Sequence, residues 1–224
     1  MSEYIEVYII CEGPTEQTFI RDVLAPERAH KNIFLYPILI GKPGHQGGNI
    51  KFDRAKRDIG LFLKQRPDTY VSTMFDYFRL DPNWPGNEKI EGKLTATKKA
   101  EKIETATLAA IEKLFPKLNV SQRFIPYIEM HEFEALLFSD ASILADKISV
   151  PQDKIDIILK ECKEPEEIDD GSDTSPSKRI TKLNSSYRKV AMGKSISEAI
   201  GIQKIRGECP HFDGWLTKLE QLVK

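Results

Sequence analysis

The feature that most constrains the fold is the alternation of short apolar runs with helical patterns in the first 140 residues. Ile5–Cys11 is a β-branched run typical of a buried strand, and Gly13 and Pro14 end it, with Pro14 suited to a first helical turn. Further strands are predicted at residues 33–40, 70–75 and 123–128. Apolar residues at helical spacing lie between the strands, which predicts βαβ units and a largely parallel sheet flanked by helices.

The second part of the chain has a different pattern. After residue 140 the strand patterns stop, and helical patterns follow at residues 151–162, about 178–200 and 212–223. Within the first part, residues 41–48 hold four glycines and are predicted to form a loop. We therefore predict a small α/β core over residues 1–140 and a helical C-terminal subdomain over residues 141–224 that packs on it.

Composition excludes several classes of protein. The chain has 33 Lys and Arg against 34 Asp and Glu, so it does not coat nucleic acid by bulk charge, although a local basic patch is allowed. Its longest apolar run, Val7 to Cys11, is far shorter than the roughly 20 residues of a membrane helix, and we predict no membrane partner. Residues 1–4 lack the features of a signal peptide. Three widely spaced cysteines fit reduced thiols, which predicts a cytoplasmic location.

Charge is concentrated in two adjacent blocks of opposite sign. Residues 161–173 carry seven acids and one base, and residues 177–206 carry eight bases and one acid. The two blocks can neutralise each other across the surface, or the second can offer a basic face to a polyanion. Both interpretations stay open at this point.

Acidic residues follow three of the four predicted strands. Glu12 and, one helical turn later, Glu16 follow the first strand, and Asp76 follows the third. Glu132 and Glu134 follow the fourth predicted strand, in a helix that is predicted to begin at residue 132. Ligands of open parallel sheets bind at the carboxyl ends of strands, so these acids are candidates for one site. Converging carboxylates repel unless a cation lies between them, and oxygen ligands suit Mg²⁺ or Mn²⁺ rather than Zn²⁺.

Each acid also has a purely structural interpretation. Glu16 can simply complement the helix dipole, and Asp76 can be a turn or N-cap residue. Glu132 and Glu134 are two residues apart, so they share one site only if the helix begins between them. Glu12 is the strongest candidate, because it directly follows a buried run where the core meets the cleft. The familiar P-loop, zinc and Gly-x-Ser-x-Gly patterns do not occur in the sequence.

Several stretches, in order along the chain, carry a resemblance to known proteins. They are Cys-Glu-Gly-Pro-Thr-Glu at 11–16, Asp76-Tyr77, Trp84-Pro85-Gly86, His-Glu-Phe-Glu-Ala-Leu-Leu-Phe at 131–138, Thr-Ser-Pro-Ser-Lys-Arg-Ile at 174–180, Ile205-Arg206, Cys-Pro-His-Phe at 209–212 and Trp215-Leu216. Together they resemble an uncharacterised bacterial family, domain of unknown function family 4276. The first stretch also resembles the opening motif of Toprim-like proteins.

The resemblance implies a Toprim-type fold, with a four-stranded, mainly parallel sheet between helices. In Toprim proteins a Glu after the first strand and an Asp-x-Asp after the third bind Mg²⁺ for phosphodiester chemistry, which would place these roles on Glu12 and Asp76. Position 78 is Phe rather than the second Asp. Glu132 or Glu134 would then supply the missing ligand, as in nucleases similar to the overcoming-lysogenization-defect type. Relatives of this kind are often encoded beside an ATPase and linked to phage defence.

The sequence and the resemblance together predict a Mg²⁺- or Mn²⁺-dependent Toprim-type nuclease. Glu12 would be a ligand or general acid/base, Asp76 and Glu16 would be ligands, and His211 is a lesser acid–base candidate whose structural alternative is packing near Trp215. The basic residues that could hold phosphates are Lys178, Arg179, Lys189 and Arg206. Nucleic acid and a neighbouring ATPase are the expected partners, and a homo-oligomer is allowed. The alternatives are a non-catalytic Toprim-like partner or sensor of an ATPase, and a metal-dependent phosphatase.

Overall fold

The computed structural model describes residues 4–41, 50–88, 94–169, 171 and 173–223. Within these ranges, parallel strands form one sheet: β1 Ile5–Cys11, β2 Ile33–Leu39, β3 Tyr70–Asp76, β4 Phe124–Ile125 and β5 Ile128–Glu129. The order across the sheet is β2-β1-β3-β4, and β5 pairs with the end of β3. The predicted parallel α/β fold is confirmed. The predicted glycine loop lies outside the described residues, apart from Gly41.

Helices flank the sheet and make up the C-terminal region, as predicted. The α-helices are α1 Pro14–Phe19, α2 Ala25–Ala29, α3 Phe52–Gln65, α4 Ala96–Leu114, α5 Val120–Arg123, α6 Ala141–Lys147, α7 Asp153–Cys162, α8 Pro176–Leu183, α9 Lys189–Ile200, α10 Ile202–Glu208 and α11 Pro210–Glu220. Shorter turns are the π-helical Ile20–Leu24 and the 3-10 helical Tyr77–Arg79, Phe133–Ser139 and Pro165–Glu167. None of the described helices combines the length and the apolar character needed to cross a membrane.

The sheet is buried on both faces by two apolar clusters. Val7 and Ile9 of β1 belong to the larger cluster, which α1 and the C-terminal helices complete. Ile10 and, on β3, Phe75 belong to the smaller cluster with α3 and α4. A strand with both faces buried is apolar almost continuously, which explains why Ile5–Cys11 shows little alternation with polar residues.

The C-terminal helices pack on the sheet through Trp215 of α11. The indole Nε1 donates a hydrogen bond to Ser72 Oγ of β3 at 2.9 Å, and the indole ring stacks on Tyr127 with ring centroids 4.3 Å apart. Residues from both sides of position 140 therefore share one apolar cluster. The domain division into residues 1–140 and 141–224 stays a prediction.

The predicted fourth strand, residues 123–128, is wrong as one continuous element. It is two short strands, β4 and β5, separated by Pro126 and Tyr127. Proline has no amide hydrogen for the ladder. The hydroxyl of Thr73 bridges the gap: it donates to the carbonyl of Tyr127 at 2.9 Å and accepts from the amide of Tyr127 at 2.9 Å. The break lets β5 continue along β3 as far as Asp76, where Glu129 is the register partner.

The helix predicted to begin at residue 132 begins one residue later, at Phe133. Phe133–Ser139 is a 3-10 helix with every side chain buried, and Glu132 precedes it with extended backbone angles. Because the helix begins between Glu132 and Glu134, the condition for both acids to reach one site is met.

Candidate metal centre

Glu12 and Asp76 lie side by side at the carboxyl ends of two adjacent parallel strands. Cys11 of β1 is paired with Met74 of β3, and the amide of Glu12 donates to the carbonyl of Met74 at 3.2 Å. The amide of Asp76 in turn donates to Glu12 Oε2 at 3.2 Å. The sheet order makes β1 and β3 neighbours, so the two acids that follow them lie at the same edge of the sheet.

Glu16 lies one turn into α1 and reaches back over the start of the helix. Its Oε2 accepts a hydrogen bond from the amide of Gly13 at 2.8 Å. A Cβ at position 13 would lie 3.2 Å from the same oxygen, so the glycine permits this close approach. Glu16 can therefore stabilise the start of α1 and also belong to the site. It is buried, and its negative charge acts on Glu12.

Asp76 connects the sheet to the 3-10 helix Phe133–Ser139. Its Oδ1 accepts from the amide of Phe133 at 3.0 Å. Asp76 is also the N-cap residue of the 3-10 turn Tyr77–Arg79, as its structural interpretation allowed, but its side chain forms no cap hydrogen bond there. The carboxyl is nevertheless buried with the charges of Glu16, Glu12 and Glu134 acting on it. A capping role and a ligand role therefore stay compatible for Asp76.

Glu132 and Glu134 meet the same ammonium group. Lys189 Nζ lies 3.6 Å from Glu132 Oε1 and 3.3 Å from Glu134 Oε1. Glu132 Oε2 also accepts from the amide of Ser177 at 2.9 Å, at the start of α8. Helix α9 brings Lys189 here because Gly193 allows it to approach Phe133 closely: a Cβ at position 193 would lie 3.1 Å from the ring.

Burial and mutual repulsion raise the pKa values of four carboxyls in this cluster above their ordinary values. Burial, followed by the charge of Glu16, raises the pKa of Glu12 to about 8. Burial raises the pKa of Glu134 to about 7 in spite of Lys189. It also raises the pKa of Glu16 and, well above its ordinary value, that of Asp76. Near neutral pH the cluster therefore holds protons that a divalent cation would displace.

The side chains of this cluster offer the type of ligand atom that a hard divalent cation prefers. Glu12, Glu16, Asp76, Glu132 and Glu134 offer only carboxylate oxygens, the ligands that Mg²⁺ and Mn²⁺ prefer. In the described ranges, no group of three His, Cys, Asp or Glu side chains is already arranged to hold a metal ion. Several carboxylate oxygens are instead engaged by backbone amides and by Lys189, so metal binding requires side-chain rearrangement.

Lys189 is expected to stabilise the cluster only while the acids are ionised. Lys189→Met should lower the free energy of unfolding by about 1 kcal/mol at pH 8 and by less at pH 5.5, because Glu134, with a pKa of about 7, is largely protonated at the lower pH. Urea unfolding at the two pH values measures this difference. Lys194→Met, which removes an ammonium paired with Asp22 and Glu198 on the surface, is the matched control and should show no such pH dependence.

The other basic candidates lie in different surroundings. Lys178 is exposed on α8. Arg179 donates to the carbonyl of Thr174 at 2.7 Å and pairs with Glu161 at 3.5 Å. Arg206 pairs with Asp213 at 2.5 Å and with Glu220 at 2.6 Å. The pairing of Arg179 with Glu161 supports the interpretation that the acidic and basic blocks partly neutralise each other.

His211 is buried and contacts residues of β5 and α4. Its Nε2 lies 3.1 Å from the carbonyl of Ile128 and 3.0 Å from Glu104 Oε1, and its ring stacks on Tyr127. Burial lowers the pKa of His211, but Glu104 outweighs this and leaves it above the ordinary value. Tyr127 stacks on His211 and on Trp215, so the contacts favour the structural alternative for His211.

Two residues of the site did not emerge as candidates from the sequence. Arg79 Nε lies 3.6 Å from Glu12 Oε1, and its only sequence signal was a position three residues after Asp76. Glu129 is fully buried opposite Asp76 in register, and its Oε2 accepts from the hydroxyl of Tyr127 at 2.7 Å. Its position directly after the fourth predicted strand was the available signal.

One comparison with known families decides the classification. A family model described as domain of unknown function (DUF4276) matches residues 11–220. The chain belongs to this family. The match begins at Cys11, next to Glu12, and includes every candidate residue, which confirms the resemblance to DUF4276 noted in the sequence. No curated protein and no solved structure matches the chain.

Proposed function

We propose that this member of DUF4276 is a divalent-metal-dependent nuclease of Toprim type. The observation that carries the proposal is a group of five buried or half-buried carboxylates: Glu12 and Asp76 at the ends of β1 and β3, Glu16 on α1, and Glu132 and Glu134 after β5, of which the last two pair with Lys189. Buried carboxylates at this density are costly unless cations offset them. Perturbed pKa values of this kind also cluster at functional sites.

The acids and Lys189 would have different roles in this reaction. Glu12, Asp76 and Glu16 would hold Mg²⁺ or Mn²⁺, with Glu132 or Glu134 as a further ligand. When bound, the cation would activate water and neutralise charge on the leaving oxygen. Glu12, whose pKa in the metal-free protein is about 8, would be either a ligand or the general acid/base. Lys189 stays beside the cluster, where its ammonium would hold a phosphate oxygen.

Two other functions compete with this one. Phe78, in place of a second acid, favours a non-catalytic partner or sensor of an ATPase, in keeping with a place in phage defence. A metal-dependent phosphatase would use the same carboxylates on small phosphomonoesters. Arg179 and Arg206 are paired with carboxylates, so their contacts add no weight to nucleic acid, and the substrate must be tested directly.

The experiment compares three substrates with the full chain. Supercoiled plasmid, a single-stranded oligonucleotide and a chromogenic phosphomonoester are each incubated with Mg²⁺, Mn²⁺ or EDTA. We expect nicking of the plasmid and cleavage of the oligonucleotide that require the metal and stop in EDTA. Hydrolysis of the monoester alone would establish the phosphatase instead. A metal-induced rise in melting temperature without hydrolysis would favour the non-catalytic partner.

A further inference from the structure

An exposed aromatic residue, Phe78, lies two positions after Asp76 in the sequence. Phe78 is in the centre of the 3-10 turn Tyr77–Arg79, and the residue is 43% exposed. Leu80, two residues further along the chain, is buried. Single exposed apolar residues are common on protein surfaces, so exposure alone does not distinguish Phe78.

The turn that carries Phe78 is fixed from two sides. The amide of Phe78 donates to the carbonyl of His131 at 3.1 Å, in the segment that leads to Glu132. The carbonyl of Arg79 accepts from the amide of Ile50 at 2.7 Å, next to the parallel bridge between Ile50 and Leu80. The ring is therefore presented from an anchored backbone, which lowers the entropic cost of using it to bind a ligand.

Arg79 connects the ring to the carboxylates. Its guanidinium carbon lies 5.9 Å from the centroid of the Phe78 ring, and its Nε lies 3.6 Å from Glu12 Oε1. An aromatic face, a guanidinium and a carboxylate cluster thus follow one another along the surface. A nucleotide presents the matching groups in the same order: a flat base, a phosphate, and the phosphodiester that would react at the carboxylates.

We propose that Phe78 is a stacking platform for one unpaired base of the substrate, next to the phosphodiester held at Glu12 and Asp76. The inference rests on the proposed nuclease function and specifies its substrate as single-stranded or locally unpaired nucleic acid. Arg79 contacts the phosphate between the stacked base and the reacting group. A base inside an intact duplex has no free face for Phe78, so paired substrates bind without this contribution.

Binding is measured with a fluorescent single-stranded oligonucleotide in Ca²⁺ by anisotropy. Phe78→Ala should weaken binding by about tenfold, within the usual range for losing one stacked base, and Phe78→Trp should retain it. Phe34→Ala is the matched control, because Phe34 is 39% exposed on β2 and is paired with Glu6, near the opposite end of β1 from Glu12. Trp84 and Trp215 are buried, so quenching of an exposed Phe78→Trp indole by the oligonucleotide reports stacking directly.

Hydrolysis separates this inference from the proposed function. On the single strand Phe78→Ala should raise KM, while Phe34→Ala should leave KM at the wild-type value. Equal binding by wild type, Phe78→Ala and Phe34→Ala, or equal loss in Phe78→Ala and Phe78→Trp, would overturn the platform even if the enzyme is an active nuclease. Binding that depends on Phe78 with no hydrolysis of any substrate would keep the platform and contradict the nuclease.

Discussion

Replacing Glu12 by glutamine is expected to lower metal-dependent hydrolysis by at least about 100-fold while leaving the fold intact. Glutamine keeps the size of the side chain but is a poorer ligand for Mg²⁺ and cannot accept a proton from water. Without metal, Glu12→Gln should be as stable as wild type at pH 5 and more stable at pH 8. Glu12 has a folded pKa of about 8, above its ordinary value, so its ionisation opposes folding increasingly as the pH rises.

Melting curves with and without Mn²⁺ provide the second readout for Glu12. The wild type should gain melting temperature with added Mn²⁺, and Glu12→Gln should gain much less. Glu161→Gln is the matched control, since Glu161 is an exposed acid on α7 that pairs with Arg179. Equal Mn²⁺ shifts in wild type and Glu12→Gln would remove Glu12 from the metal site.

Replacing Glu220 by glutamine should lower the free energy of unfolding by about 3 kcal/mol at pH 7. The side chain of Arg28 has no exposed area, and Glu220 on α11 pairs with it. Partial burial opposes ionisation of Glu220, but Lys31, Arg206 and Arg28 outweigh it and hold its pKa at about 2. Because that pKa is depressed, the contribution is complete above about pH 4.5 and is lost as the pH falls toward 2.

Urea unfolding at pH 7 measures this loss. Glu198→Gln is the control, because Glu198 pairs with Lys194 at 3.5 Å on the surface and its removal should change stability by less than about 1 kcal/mol. The pair matters for the site because it fastens α11 to α2, and the C-terminal helices bring Lys189 and Ser177 to the acids. A change in Glu220→Gln no larger than that of the control would show that Arg28 is satisfied without Glu220.

The first strand and the position of the acids could be predicted because both depend on local patterns. Ile5–Cys11 is apolar apart from Glu6, since both faces of a central parallel strand are largely buried, and the acid that follows such a strand lies at its carboxyl end. The sheet order then brings Glu12 and Asp76 together without further information.

The remaining parts of the site depend on contacts that a linear pattern does not contain. The split of the fourth strand depends on Thr73 bridging to Tyr127, 54 residues away. Lys189 reaches Glu134 because Gly193 packs on Phe133, whereas Arg206, in the same basic block, is drawn to Asp213 and Glu220. The density of charge in the sequence identifies the basic block at residues 177–206. Only the packing of the helices determines that Lys189, rather than Arg206, contacts the acids.

The central claim is that these carboxylates bind a divalent cation. Diffraction at the manganese absorption edge, from crystals grown in Mn²⁺, tests it most directly. We predict an anomalous peak within direct ligand distance of Glu12 and Asp76 in the wild type, and a weak peak or none there in Glu12→Gln crystals. Crystals saturated with Mn²⁺ that show no anomalous peak among these acids, with Lys189 still paired to Glu132 and Glu134, would contradict the account.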